Sequence, residues 1–156
     1  MADQMKQKMK GSFSNMYMLD TNILIFCMRH PDSVCAARVA SHLGNDVCIS
    51  VVTYAELEFG IHNSKYPEQS RMAVNRILAG IMILDFDRRA AVHYGSILAD
   101  LKQKHKDKQN QDRDKMIAAH ARSNGFVLVT DNTKDFIDID GLTIENWREP
   151  GDLISK

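Results

Sequence analysis

Five short apolar runs, separated by segments of helical character, constrain this chain more than any other feature. The runs are Met16–Leu19, Val47–Ser50, Ile81–Leu84, Phe126–Thr130 and Leu142–Ile144. Between them lie Thr21–Arg29, a segment ending near Leu43, Val51–His62, Pro67–Ala79, Asp87–Lys104 and Asp112–Asn124. Punctuation agrees with this division. Pro31 stops the first helix, Asp32 or Ser33 is placed to cap the second, and Gly44-Asn45, Gly80 and Gly125 stand where helices end. Strands of three to five apolar residues alternating with helices specify a mostly parallel sheet of about five strands, covered by helices on both faces. Ligands of such sheets bind beyond the carboxyl ends of the strands, where the strand order reverses. The places to inspect are therefore just after Leu19, Ser50 and Val129.

Composition narrows the chemistry. At 156 residues the chain is sized for one domain. We bound it at residues 16–148, with a polar Met- and Lys-rich leader (1–15) and a C-terminal tail (149–156). The 20 basic and 20 acidic residues cancel, so bulk charge holds no nucleic acid and any such grip is a local patch. Cys27, Cys35 and Cys48 are odd in number and form no CxxC pair, which fits free thiols in a reducing cytoplasm. No HExxH, GxxxxGK[ST] or GxGxxG occurs. No apolar stretch approaches the roughly 18 residues that span a bilayer, so no membrane association is expected.

Acidic residues stand at the places just named. Asp20 follows the first run directly and suits a helix N-cap as well as a site. Glu56 falls within Val51–His62 in line with Val52, Phe59 and Gly60, and Glu58 points about 200° away from it. A glutamate on an apolar stripe needs a cation or donors, so Glu56 is the candidate and Glu58 reads as a solvated surface group. Asp114 shares a face with Ile117, Ala118 and Ala121, whereas Asp112 projects elsewhere and stays as an alternative. The run Thr130-Asp131-Asn132-Thr133 suits a turn, a metal ligand or the positioning of a water. Acids from separate segments converging on one sheet edge repel one another. A Mg²⁺ or Mn²⁺ ion with oxygen ligands and retained waters relieves that repulsion and can activate water against a phosphodiester.

Four stretches carry a resemblance. They are Met18-Leu19-Asp20-Thr21-Asn22, Thr53-x-x-Glu56-Leu57-x-x-Gly60, Asp114-x-Met116-Ile117-Ala118-Ala119-His120-Ala121, and Leu128-Val129-Thr130-x-Asn132-x-x-Asp135-Phe136. Gly141-Leu142 through Glu145-Asn146-Trp147 closes the series. In this order and spacing, from about Met16 to Trp147, the chain resembles the PIN-domain family and, within it, VapC-type toxins. The resemblance implies a three-layer α/β/α sandwich and a Mg²⁺- or Mn²⁺-dependent endoribonuclease. It implies Asp20, Glu56 and Asp114 as metal-site acids, with Thr130 and Asn132 ordering water or phosphate. Asn132 stands at the family's fourth acidic position, and Asp131 beside it is a second candidate. Asn110-Gln111-Asp112-Arg113 departs from the usual Gly-Pro-aromatic approach to the helix. By the same resemblance the substrate is RNA, with tRNA favoured, and the partners are an antitoxin and a second copy of the chain.

Lys102, Lys104, Lys106 and Lys108 form the densest basic run, which reads as a solvated helix end or as a phosphate-contacting rim. Two other functions are distinguishable in principle. A phosphoacceptor module would use Asp85 or Asp87 and leave Glu56 and Asp114 without a role. A non-catalytic RNA-binding scaffold on the same fold would accord with Asn132 in an acidic position.

Overall fold

The structure, a computed structural model, describes residues 15–153, so most of the leader and the last residues of the tail lie outside it. The elements in chain order are β1 Tyr17–Leu19, α1 Thr21–Arg29, α2 Val34–His42, β2 Val47–Ser50, α3 Val51–His62 and α4 Pro67–Leu78. There follow β3 Met82–Leu84, α5 Arg88–Gln103, α6 Asp112–Asn124, β4 Val127–Val129 and β5 Thr143–Glu145, with 3₁₀ turns at Thr133–Asp135 and Pro150–Leu153. Every segment expected from the sequence is present, and their ends differ by about one residue. The five strands are ordered β3-β2-β1-β4-β5, and every neighbouring pair is parallel.

Side-chain alternation along the strands builds two cores. Leu19, Val47, Ile49 and Val129 face one way, against Ile23, Leu24 and Cys27 of α1, Cys35 and Val39 of α2, Leu57 and Ile61 of α3 and Val74 of α4. Met18, Cys48 and Leu128 face the other way, against Ile97 and Leu101 of α5 and Ile117, Ala118 and Ala121 of α6. The small residues of α6 let it lie close on the sheet, and Gly125 ends it at φ +67°, the left-handed C-terminal cap. The result is the α/β/α sandwich. Trp147 fills the first core with no exposure, stacks on His42 and donates from Nε1 to Glu145 at 2.8 Å.

The end of the described chain is tied down. Asp152 accepts from the Val34 and Cys35 amides at 2.9 and 3.2 Å, while Ser33 Oγ accepts from Ala36 at 3.0 Å. Ser33, not Asp32, is thus the N-cap of α2, and a carboxylate 118 residues further on completes the capping. Cys27, Cys35 and Cys48 are buried free thiols. The strand order reverses between β1 and β4, which sets the carboxyl ends of those strands side by side and fixes where the site must be.

Candidate active site

Asp20 sits at that reversal. Its backbone amide continues the ladder to Val129 at 2.9 Å, and its side chain is 2% exposed. Oδ1 accepts from the Thr21 amide at 2.8 Å and Oδ2 from Thr130 Oγ1 at 2.9 Å. The residue therefore caps α1 and belongs to the site at once. Burial pushes its carboxyl up to about 6; the Asp114 and Glu56 charges add to the rise, against the lowering effect of the Thr130 and Thr21 hydrogen bonds.

Glu56 arrives from α3, which starts the residue after β2 with Ser50 as its N-cap. Thr21 Oγ1 donates to Glu56 Oε1 at 2.9 Å and lies 3.3 Å from Thr53 Oγ1. Arg113 Nε stands 3.9 Å from the other carboxylate oxygen. The apolar stripe read from the sequence does not direct Glu56, because Phe59 is 65% exposed; a threonine donor does. Glu58 points away and is gripped by both Nη atoms of Arg71, Nη2 at 2.8 Å. That guanidinium holds the Glu58 carboxyl down to about 2. Glu58 is thus ion-paired to α4, not merely solvated.

Asp114, in the first turn of α6, is partly buried. Its carboxyl is raised by burial and by the charges of Glu56 and Asp135, with Arg113 and Lys115 acting in opposition. Asp112 is exposed and its charge acts on Tyr94 of α5, so it stays outside the cluster.

Beyond β4, Thr130 is fully buried; its hydroxyl donates to Asp20 and accepts from the Asn132 amide at 3.1 Å. Asp131 turns out of the site to Arg148, whose Nη1 is 2.6 Å away and whose guanidinium lies over Phe26. Asn132 Nδ2 donates instead to Asp135. Asp135 is the acid the sequence reading did not single out, and its charge reaches Asp114. The available signal was the three-residue spacing from Asn132, which one 3₁₀ turn converts into a contact.

The lysine run is largely neutralised. Lys104 binds Asp100 and Asp140 at 2.8 and 2.9 Å, Lys106 approaches Asp138 at 4.0 Å, and Lys108 approaches Asp135 at 3.4 Å. Lys102 and Lys108 also line an open cleft of about 450 Å³ with Lys115, Asp107 and Asp112. Lys115 is buried, and its Nζ donates to the Lys108 carbonyl at 2.8 Å.

The donor set consists of carboxylate oxygens whose charges raise the proton affinity of Asp20 and Asp114, which is the chemistry that fits a hard divalent cation. Among the described residues no three side chains close into a ready-made metal cage. An ion that keeps several of its waters and takes only one or two direct carboxylates, as Mg²⁺ does, suits so open a set.

A parallel sandwich with carboxylates gathered at its strand-order reversal is the architecture of PIN domains. The PIN-domain family model matches residues 17–142, and the chain belongs to that family. Its relatives place it in the VapC group. It is 38% identical to a tRNA(fMet)-specific endonuclease VapC of Shigella flexneri, over 84% of this chain and 97% of that one. It is 37% identical, with the same coverage, to a ribonuclease VapC2 of Haemophilus influenzae. Among solved structures, DNA-bound VapBC of Salmonella typhimurium superposes at TM-score 0.79 with 36% identity, covering 86% of this chain and 99% of that one. VapBC2 of Rickettsia felis bound to a promoter DNA fragment gives 0.77 and 34%, covering 85% and 98%.

Proposed function

We propose that the protein is a divalent-metal-dependent endoribonuclease, the toxin of a toxin–antitoxin pair, that hydrolyses RNA of the tRNA class. The observation that carries this reading is the Asp20–Glu56–Asp114 cluster, in which burial and neighbouring carboxylate charge raise the Asp20 and Asp114 carboxyls, with Arg113 and Lys115 offsetting the rise only in part at Asp114. Relatives named as ribonucleases, one of them as specific for tRNA(fMet), support the substrate class. Structural neighbours that are VapBC complexes support an antitoxin partner. A homodimer and a cytoplasmic setting belong to the same reading.

Asp20, Glu56 and Asp114 would hold Mg²⁺ or Mn²⁺, and Asp135 would add charge at the rim. When bound, the ion supplies a Lewis acid that lowers the pKa of water and offsets charge on the phosphate. The chain's own groups set the geometry. Thr130 fixes Asp20, Thr21 fixes Glu56, and Asn132 fixes Asp135. Arg113, poised against Glu56, is placed to exchange that carboxylate for a substrate phosphate. Lys102 and Lys108 on the neighbouring cleft would take flanking phosphates.

The test is incubation of total tRNA with the purified protein in Mg²⁺, in Mn²⁺ and in EDTA, with Asp20→Ala as control. Discrete fragments that require both the metal and Asp20 are expected. A folded protein that binds tRNA but cuts none of it would favour the scaffold reading.

A further inference from the structure

His120 lies in the α6 stretch Ile117-Ala118-Ala119-His120-Ala121, yet it touches none of the clustered acids. Its side chain is 1% exposed and its Nδ1 is 2.8 Å from Ser50 Oγ, itself fully buried. Ser50 Oγ accepts from the Val52 amide at 3.1 Å as the N-cap of α3. The imidazole tautomer sets the direction of this contact: with the ring proton on Nε2, the Ser50 hydroxyl donates to His120 Nδ1. Both side chains are enclosed, with Ser50 fully buried, so no substrate reaches the hydroxyl and the pair is no hydrolytic dyad.

The pair joins the helices that carry two of the acids. Ser50 is six residues before Glu56 and His120 is six residues after Asp114. On its other side, the first two turns of α3 meet Thr21, through Thr53 at 3.3 Å and through Glu56 at 2.9 Å. The start of α3 is thus pinned to α1 by Thr21 and to α6 by His120. The Thr21 contact registers Glu56 against Asp20. The His120 contact is the side-chain hydrogen bond that registers α3 against the Asp114 helix.

We propose that His120 is a positioning residue: by accepting the Ser50 hydroxyl proton it fixes the separation of Glu56 and Asp114, and with it the affinity of the cluster for a divalent cation. This rests on the metal-centre reading above. Side chains hydrogen-bonded directly to a metal's ligands typically govern about 10–100-fold in affinity; the Ser50–His120 contact acts one step further out, through the helices that carry Glu56 and Asp114, so the low end of that range is expected.

The experiment measures Mn²⁺ affinity by calorimetry on the full chain and, separately, tRNA cleavage. It compares wild type, Ser50→Ala, His120→Leu, the double variant and His120→Asn, whose amide oxygen can take the place of Nδ1. Circular dichroism checks that each variant is folded. The single losses should each weaken Mn²⁺ binding on the order of 10-fold. The double variant should lose no more than one single, and His120→Asn should recover most of the affinity. The ¹⁵N spectrum of the wild-type imidazole should show an unprotonated Nδ1. A protonated Nδ1 in the free protein, or unchanged Mn²⁺ affinity in either folded His120→Leu or Ser50→Ala, would overturn the proposal. Should the wild type bind Mn²⁺ with this ranking of variants yet cleave nothing, the nuclease reading falls and the positioning role stands. Should the wild type bind no Mn²⁺, both fall.

Discussion

Thr130 Oγ1 donates to Asp20 Oδ2 at 2.9 Å across 110 residues of sequence, joining the ends of β4 and β1. Both groups are buried, and the contact opposes the upward pull of burial on the Asp20 carboxyl. Removing the donor while keeping the shape, as in Thr130→Val, raises that carboxyl further above its ordinary value. The acidic limb of kcat/KM against pH should move to higher pH, with metal affinity falling about 10-fold or more. Rate profiles between pH 5 and 9, with Mn²⁺ titrations, measure both.

Asp20 should stabilise the metal-free protein when it is replaced. Its folded carboxyl is raised from 3.8 to about 6, so over that interval the folded state binds more protons than the unfolded one and its stability falls as pH rises. Asp20→Asn removes this penalty. In EDTA at pH 7–8 it should gain up to about 3 kcal/mol over wild type, from about 1.36 kcal/mol per pKa unit. The difference should fade as pH falls toward 4, and cleavage should be lost throughout. Urea unfolding at several pH values is the measurement; a variant less stable than wild type at pH 8 in EDTA would contradict the raised carboxyl.

Asp131 and Asp135 are four residues apart and have opposite assignments. Asp135→Asn should weaken Mn²⁺ binding and slow cleavage, because its charge reaches Asp114. Asp131→Asn should leave the cleavage rate near wild type and lower stability by about 1 kcal/mol, since it strips Arg148 of its ion-pair partner. Steady-state kinetics beside denaturation curves separate the two.

The two glutamates of α3 make a similar contrast. Glu56→Gln should abolish metal-dependent cleavage in a folded protein. Glu58→Gln should cleave as wild type and loosen only the α3–α4 contact made through Arg71. Equal losses in both variants would remove the distinction drawn from their opposite directions.

Salt dependence of RNA binding sorts the lysines. Replacing a lysine that pairs with an RNA phosphate should lower the slope of log K against log salt by about 0.7–0.9. Lys102→Gln should do so, and Lys108→Gln should do so less, because Asp135 lies 3.4 Å from Lys108. Lys104→Gln should not, because Asp100 and Asp140 already neutralise Lys104. Binding to the catalytically dead Asp20→Ala protein gives the slopes free of cleavage.

The fold was legible because its signals are local. Strands as short as Val127–Val129 are apolar throughout, since both faces are covered, and helix ends carry their own marks at Ser33, Asp87 and Gly125. Asp20, Glu56 and Asp114 stood out from strand-end position and motif order. Other parts of the neighbourhood did not. Asp135 looks like turn chemistry until the 3₁₀ turn brings it to Asn132. Thr21 looks like an ordinary first-turn residue until α3 passes beside it. Lys104, Lys106 and Lys108 read as free charge because their partners Asp140, Asp138 and Asp135 are distant in sequence.

By itself, then, the sequence determined the order of strands and helices, where each helix begins and stops, and which acids can reach a sheet edge. These follow from side-chain periodicity and capping, which act over a few residues. Only the tertiary structure decided which groups orient those acids: Thr130 rather than Asp131 at Asp20, Thr21 at Glu56, Ser50 with His120 between the two acid-bearing helices. Those contacts span 35 to 110 residues and exist because the parallel crossovers bring strand ends together. Burial at that meeting place, which no local pattern encodes, then raises the carboxyl of Asp20.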